Sequence, residues 1–133
     1  MILATRVALV VSVVSLVLAN TLGLLLGVGW LSYTWRPAHA HLNLLGFVTS
    51  MIFGVGYHAV PRFRGVPFKR ARLALVQVAV HAAGLLGMVL SFGFVLGPGW
   101  LGTFGALTWL SSLAFALIMI EVVVLQPRPR RGA

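Results

Sequence analysis

"LALVQVAVHAAGLLGMVLSFGFVL", residues 73 to 96, contains no Asp, Glu, Lys or Arg. As a helix rising 1.5 Å per residue it is about 35 Å long, enough to cross a hydrocarbon core about 30 Å thick. Lipid offers peptide groups no partner, so such a run is stable there only as a helix, whose backbone bonds are internal. Three more apolar runs flank it. They extend from about Val7 to Leu31, from about Ala38 to Val60 and from about Leu101 to Leu125. The expected fold is therefore all-α, a single integral membrane domain over residues 1–133 built as a bundle of four transmembrane helices.

The composition agrees. The 133 residues are 60% hydrophobic and 8% charged, with a mean hydropathy of +1.05, whereas soluble domains are about half apolar and a quarter charged. The first run has features of a secretory signal, with Arg6, an apolar stretch and small residues at "VLAN" (17–20). It continues through "TLGLLLGVGW" (21–30), too long for a signal core, and reads as the first helix. Pro37, Pro61, Pro98 and Pro127 fall at the segment ends, where they interrupt no helix interior.

Ten Lys and Arg face one acidic residue, a formal charge of +9. Nucleic acid is not the expected partner, because the cations cluster beside apolar runs as in membrane loops. Arg6, the group Arg62, Arg64, Lys69, Arg70 and Arg72, and the tail's Arg128, Arg130 and Arg131 all fall on one side of a four-pass topology. Only Arg36 falls on the other. The positive-inside rule then puts both termini and the middle loop in the cytoplasm, as a multi-pass protein of the cell (inner) membrane. Trp30, Tyr33, Trp35 and Trp100 form an aromatic belt at the outer boundary.

Several chemistries are excluded. Without cysteine there is no disulfide, thiolate metal site or thiol catalysis, and no CxxCH for covalent haem. A lone carboxylate, Glu121, cannot form an acid/base pair. What remains is four histidines, His39, His41, His58 and His81. Ionisable groups at membrane depth are costly and commonly functional, although a hydrogen bond between helices serves a solitary imidazole as well.

Helical spacing sorts them. His39 shares a face with Asn43, Gly46, Ser50, Gly54 and Tyr57, a polar and small-residue stripe expected to face the protein interior. His41 lies roughly 200° away at 100° per residue, with Leu45, Val48, Ile52 and Ala59. The two imidazoles of "HAH" therefore do not enter one pocket of a regular helix. His81 heads a stripe of Gln77, Gly84, Met88 and Ser91 near mid-span. His58, beside Tyr57 and Pro61, reads as an interfacial residue. His39 and His41 lie within roughly 6 Å of the outer end of their helix and His81 some 20 Å below its own outer end. Pairing across one haem inside one chain is thus disfavoured. A homodimer with its two-fold axis along the membrane normal brings equivalent histidines to one depth.

The stretch "RPAHAHLNLLGFVTSMIFGVGYHAVPRFRG" (36–65) resembles the second helix of heme–copper oxidase catalytic subunits, particularly the C-type oxidases and nitric oxide reductases. It is also similar to the NnrS-type membrane proteins, through "HAH", Gly46, Phe47 and the closing Ala59 to Pro61. The likeness spans about one helix, and the paired "HH" of the oxidases has no counterpart here. The oxidase resemblance implies that His39, after the Arg-Pro lead-in, ligates a low-spin haem.

Haem b suits the residues: imidazoles, a slot lined by small residues, and Arg36, Tyr33 and Trp35 near propionates. Electron transfer or binding of a diatomic gas, NO or O2, is the expected role. The candidate cofactor-binding residues are His39, His41, His81, His58, Arg36, Asn43, Tyr57 and Met88, with His39, His41 and His81 as metal ligands. Two alternatives stand beside this. His39 and His41, doubled in a dimer, offer up to four imidazoles to copper or zinc. The chain is otherwise a structural subunit of a larger membrane complex.

Overall fold

Each apolar run closes its backbone bonds internally, and the computed structural model of the chain, which describes residues 1–127, has four long helices and no strand among the described residues. Arg128, Arg130 and Arg131, used above for topology, lie outside the described residues. The helices are α1 (Leu3–Gly27), α2 (Tyr33–Arg64), α3 (Ala71–Gly93) and α4 (Pro98–Leu125), each long and apolar enough to cross a membrane.

Their ends differ from the hydropathy limits. α1 begins at Leu3 rather than Val7 and stops at Gly27 rather than Leu31, and α2 starts at Tyr33 and runs to Arg64. α3 ends at Gly93, and α4 starts at Pro98. Hydropathy marks the apolar slab, while a peptide ladder continues until its geometry is broken. Pro61 accordingly lies inside α2, in its last turn, rather than beyond it. Gly65 then adopts φ +66, with its N–H on Arg62 O and that of Val66 on Pro61 O, both at 3.0 Å. These are the paired bonds of a glycine-terminated helix end.

α2 is not uniform. A 3₁₀ turn at Tyr33–Trp35 leads into α-helix at Arg36–His41, then π-helix at Leu42–Thr49, then α-helix again at Ser50–Arg64. The wide π turns are costly on their own, and hydroxyls gather on their carbonyls. Thr49 Oγ1 donates to Leu44 O at 2.8 Å, and Ser12 Oγ of α1 donates to Phe47 O at 3.0 Å.

Two apolar cores hold the bundle. At the basic end Ala4, Ala8, Phe53, Tyr57, Ala74, Val78 and Ile118 pack together. Towards the Trp-rich end the core is Ala19, Ala38, Leu42, Leu85 and Val89. Large side chains such as Val17, Ile52, Leu86 and Leu117 point outwards, as lipid permits. Lipid tails are as apolar as leucine, so for helices set in lipid close approach and polar bonds would supply the cohesion.

α1 shows the first device. Its buried residues Ala4, Thr5, Ala8, Ser12, Ser15 and Ala19 are all small. α3 and α4 show the same: a Cβ on Gly84 would lie 2.9 Å from Thr108 Cγ2, and one on Gly87 would overlap the Phe104 ring. The second device is a buried polar chain. Tyr57 Oη donates to Gln77 Oε1 and Gln77 Nε2 donates to Ser111 Oγ, both at 2.8 Å, joining α2, α3 and α4.

Candidate functional site

An imidazole offers a ligand only the nitrogen it does not spend on hydrogen bonding, so the partner of each ring decides its chemistry. His39 comes from the first α-helical turns of α2 and is half-buried against α1. Its Nδ1 lies 2.8 Å from Ala19 O. A carbonyl only accepts, so Nδ1 carries the hydrogen and Nε2 keeps its lone pair. Gly23 makes this possible, because a Cβ there would sit 2.8 Å from His39 Cε1. Asn43, one turn on, donates from Nδ2 to the His39 backbone carbonyl at 3.1 Å, with His39 Nε2 3.5 Å away.

His41 shows the same tautomer. Its Nδ1 donates to Pro37 O at 2.8 Å, and its ring packs on Phe92 of α3 with centroids 4.8 Å apart. The two rings therefore leave α2 in different directions, one to α1 and one to α3, as the regular-helix spacing indicated. Arg36 is exposed beside them.

His81 is spent differently. It is 1% exposed, and its Nε2 donates to Leu45 O at 3.0 Å. That carbonyl belongs to the π segment. Phe53 meets the ring edge-on at 4.9 Å, and Nδ1 is buried without a partner among the described residues. His81 thus ties α3 to the wide turn of α2 through Nε2, whereas His39 and His41 meet their carbonyls through Nδ1. Met88 is buried in the α3–α4 seam, its sulfur 3.7 Å from Thr108 Oγ1. Tyr57 is held by Gln77, and His58 accepts from Arg62 Nη1 at 2.9 Å near the basic end.

The eight candidate residues are therefore dispersed. His39, Asn43, His41 and Arg36 share the N-terminal end of α2, His81 and Met88 lie in α3, and Tyr57 and His58 are near the C-terminal end of α2. Among the described residues no three of His, Cys, Asp and Glu are grouped to hold a metal ion. A groove of about 350 Å³ between α1, α2 and α3, lined by Val10, Val14, Ser15, Leu42, Leu85 and Val89 among others, touches none of the histidines. No protein-family model matches the chain, and no curated protein or solved structure is similar to it.

For haem, the donor set fits in part. His39 and His41 have the ligand tautomer, Nδ1–H held by a carbonyl, which fixes the ring and leaves Nε2 for a metal. One copy does not set two such nitrogens on facing sides of one space. The residues that spacing alone misses are Ala19, Leu45 and Phe47, which act through backbone carbonyls, and Ser12. A serine repeated at helical spacing within an apolar helix is the only trace the last of these leaves in the sequence.

Proposed function

We propose that the chain is an integral membrane haem b protein of the inner membrane. In this reading its basic end is cytoplasmic, and a homodimer holds the haem near the outer end of α2. The observation that carries this is the His39 contact: with Nδ1 on Ala19 O at 2.8 Å, beside Gly23, the nitrogen left to bind a metal is Nε2, whose only hydrogen-bonding neighbour among the described residues is Asn43 Nδ2 at 3.5 Å. The partly matching oxidase-like stretch supports the same residue, and His41 is the second candidate ligand. Bound haem b would supply one-electron transfer, or NO or O2 binding at an open iron position. The protein's own part would be to lock the tautomer through Ala19 and to offer the exposed Arg36 near the propionates.

Purified full-length protein in detergent tests this. A Soret band with split α and β bands on reduction is expected, and His39→Ala should lose most of it while His81→Leu keeps it. Unchanged haem content in His39→Ala removes that residue from the site. A preparation that stays colourless after hemin is supplied overturns the reading. Stoichiometric copper or zinc in that colourless protein assigns the histidines to a metal ion instead.

One observation favours a second reading, a structural subunit: His81, the deepest imidazole, uses Nε2 to bind a backbone carbonyl of the neighbouring helix. The same preparation distinguishes the two, because this reading expects neither pigment nor metal.

A further inference from the structure

At the basic end the loop after α2 and the end of α4 enclose a pocket of about 190 Å³, lined by Gly65, Val66, Pro67, Lys69, Gln126 and Pro127. Gln126 is 7% exposed, yet neither its Nε2 nor its Oε1 has a partner among the described residues. Arg64 donates from Nη2 to the Gln126 carbonyl at 3.0 Å, while its buried Nε is also without an acceptor. Two residues past Lys69, α3 begins with no side-chain cap and no acidic residue in its first turn. Glu121 is committed elsewhere, to Arg70 Nε at 2.8 Å.

The balance is one-sided. Donors and positive charge exceed acceptors, and an unmet buried polar atom costs about 1–3 kcal/mol. A cation such as Lys69 favours phosphate oxygens. Gln126 Oε1 adds a requirement in the other direction: the ligand must also donate a hydrogen bond. A phosphate ester bearing a hydroxyl meets both needs, and at the boundary of a membrane span its nearest source is the lipid itself.

We propose that the Lys69–Gln126 pocket binds the phosphate headgroup of an anionic, hydroxyl-bearing phospholipid. Phosphate oxygens take hydrogen bonds from Lys69 Nζ and Gln126 Nε2, and the headgroup hydroxyl donates to Gln126 Oε1. This site is independent of the histidines and of any haem.

Native mass spectrometry of the delipidated full chain tests the proposal, titrated with phosphatidylglycerol, phosphatidylcholine or glycerol 3-phosphate. Phosphatidylglycerol should bind about tenfold tighter than phosphatidylcholine, whose quaternary ammonium has no hydrogen to donate. Lys69→Ala and Gln126→Leu should each weaken it by about tenfold, the loss of one charge-assisted or buried hydrogen bond. Lys69 is exposed, so its variant keeps the fold even if Gln126→Leu does not. Equal binding of both lipids, or wild-type affinity in Lys69→Ala, overturns the proposal. Displacement of the lipid by equimolar glycerol 3-phosphate overturns the lipid assignment and transfers the site to a soluble ester.

Discussion

Replacing His81 by Leu removes the deepest imidazole of the bundle, and the structure bounds what this costs. The Nε2 bond to Leu45 O is lost. Hydrogen bonds between membrane helices are worth about 0.6 kcal/mol on average and about 1.7 at most. Leu45 O is not stranded, because Ser50 Oγ donates to it at 3.4 Å. Against that loss, the substitution deletes Nδ1, a buried atom with no partner, whose burial is worth about 1–3 kcal/mol in water-based folding. The lower figure applies when the unfolded reference is itself in lipid. Leucine is of similar bulk and keeps most of the contact with Phe53. The terms cancel to within about 1 kcal/mol. Denaturant titration in mixed micelles, followed by circular dichroism, should therefore place His81→Leu within that margin of the parent. A loss above about 3 kcal/mol would refute the reasoning, since it would mean that Nδ1 has a partner the single chain does not supply.

Gly87→Leu should cost about 1–3 kcal/mol or more, because its Cβ already overlaps Phe104 and the seam has no room to relax; the same titration measures it. Tyr57→Phe leaves Gln77 Oε1 without its 2.8 Å donor, and a loss of about 0.6–1.7 kcal/mol is expected, with Gln77→Leu in the same background restoring part of it. Arg70→Ala should cost less than about 1 kcal/mol, since the pair with Glu121 is open to solvent on the arginine side. The difference between wild type and that variant should shrink in high salt.

Much of this architecture is written in residue chemistry that needs no coordinates. The charge-free run at 73–96 dictates a helix, and its stripe of Gln77, His81, Gly84, Met88 and Ser91 is buried along its whole length. On α2, Gly46, Ser50, Gly54 and Tyr57 face inwards while Val48 and Ile52 face out, as a period near 3.6 requires. The limits of the helices were not legible, because apolarity and peptide hydrogen bonding end at different residues. Nor was the π segment: besides the local hydroxyls of Thr49 and Ser50, side chains from α1 and α3 reach its carbonyls, and no spacing within residues 42–49 contains those. For the same reason the partners of the histidines were hidden. Ala19 and Leu45 act through oxygens every residue has. The buried small-residue face of α1 was present in the sequence, with Ala4, Ala8, Ser12, Ser15 and Ala19 three or four apart, but it looks like ordinary helix filler until a neighbour packs on it.

The widened stretch of α2 also acts as a phase setter. Residues on either side of it are ordinary α-helix, so the azimuth of the imidazole-bearing upper half relative to the anchored lower half depends on how many residues the stretch holds. Excising one would let the segment relax to the tighter coil and rotate the upper half against the lower. His39 would then leave its groove beside Gly23, though Phe53 and Tyr57 stayed where they are. Chain length within those eight residues, as much as side-chain identity, determines where the imidazoles of His39 and His41 aim.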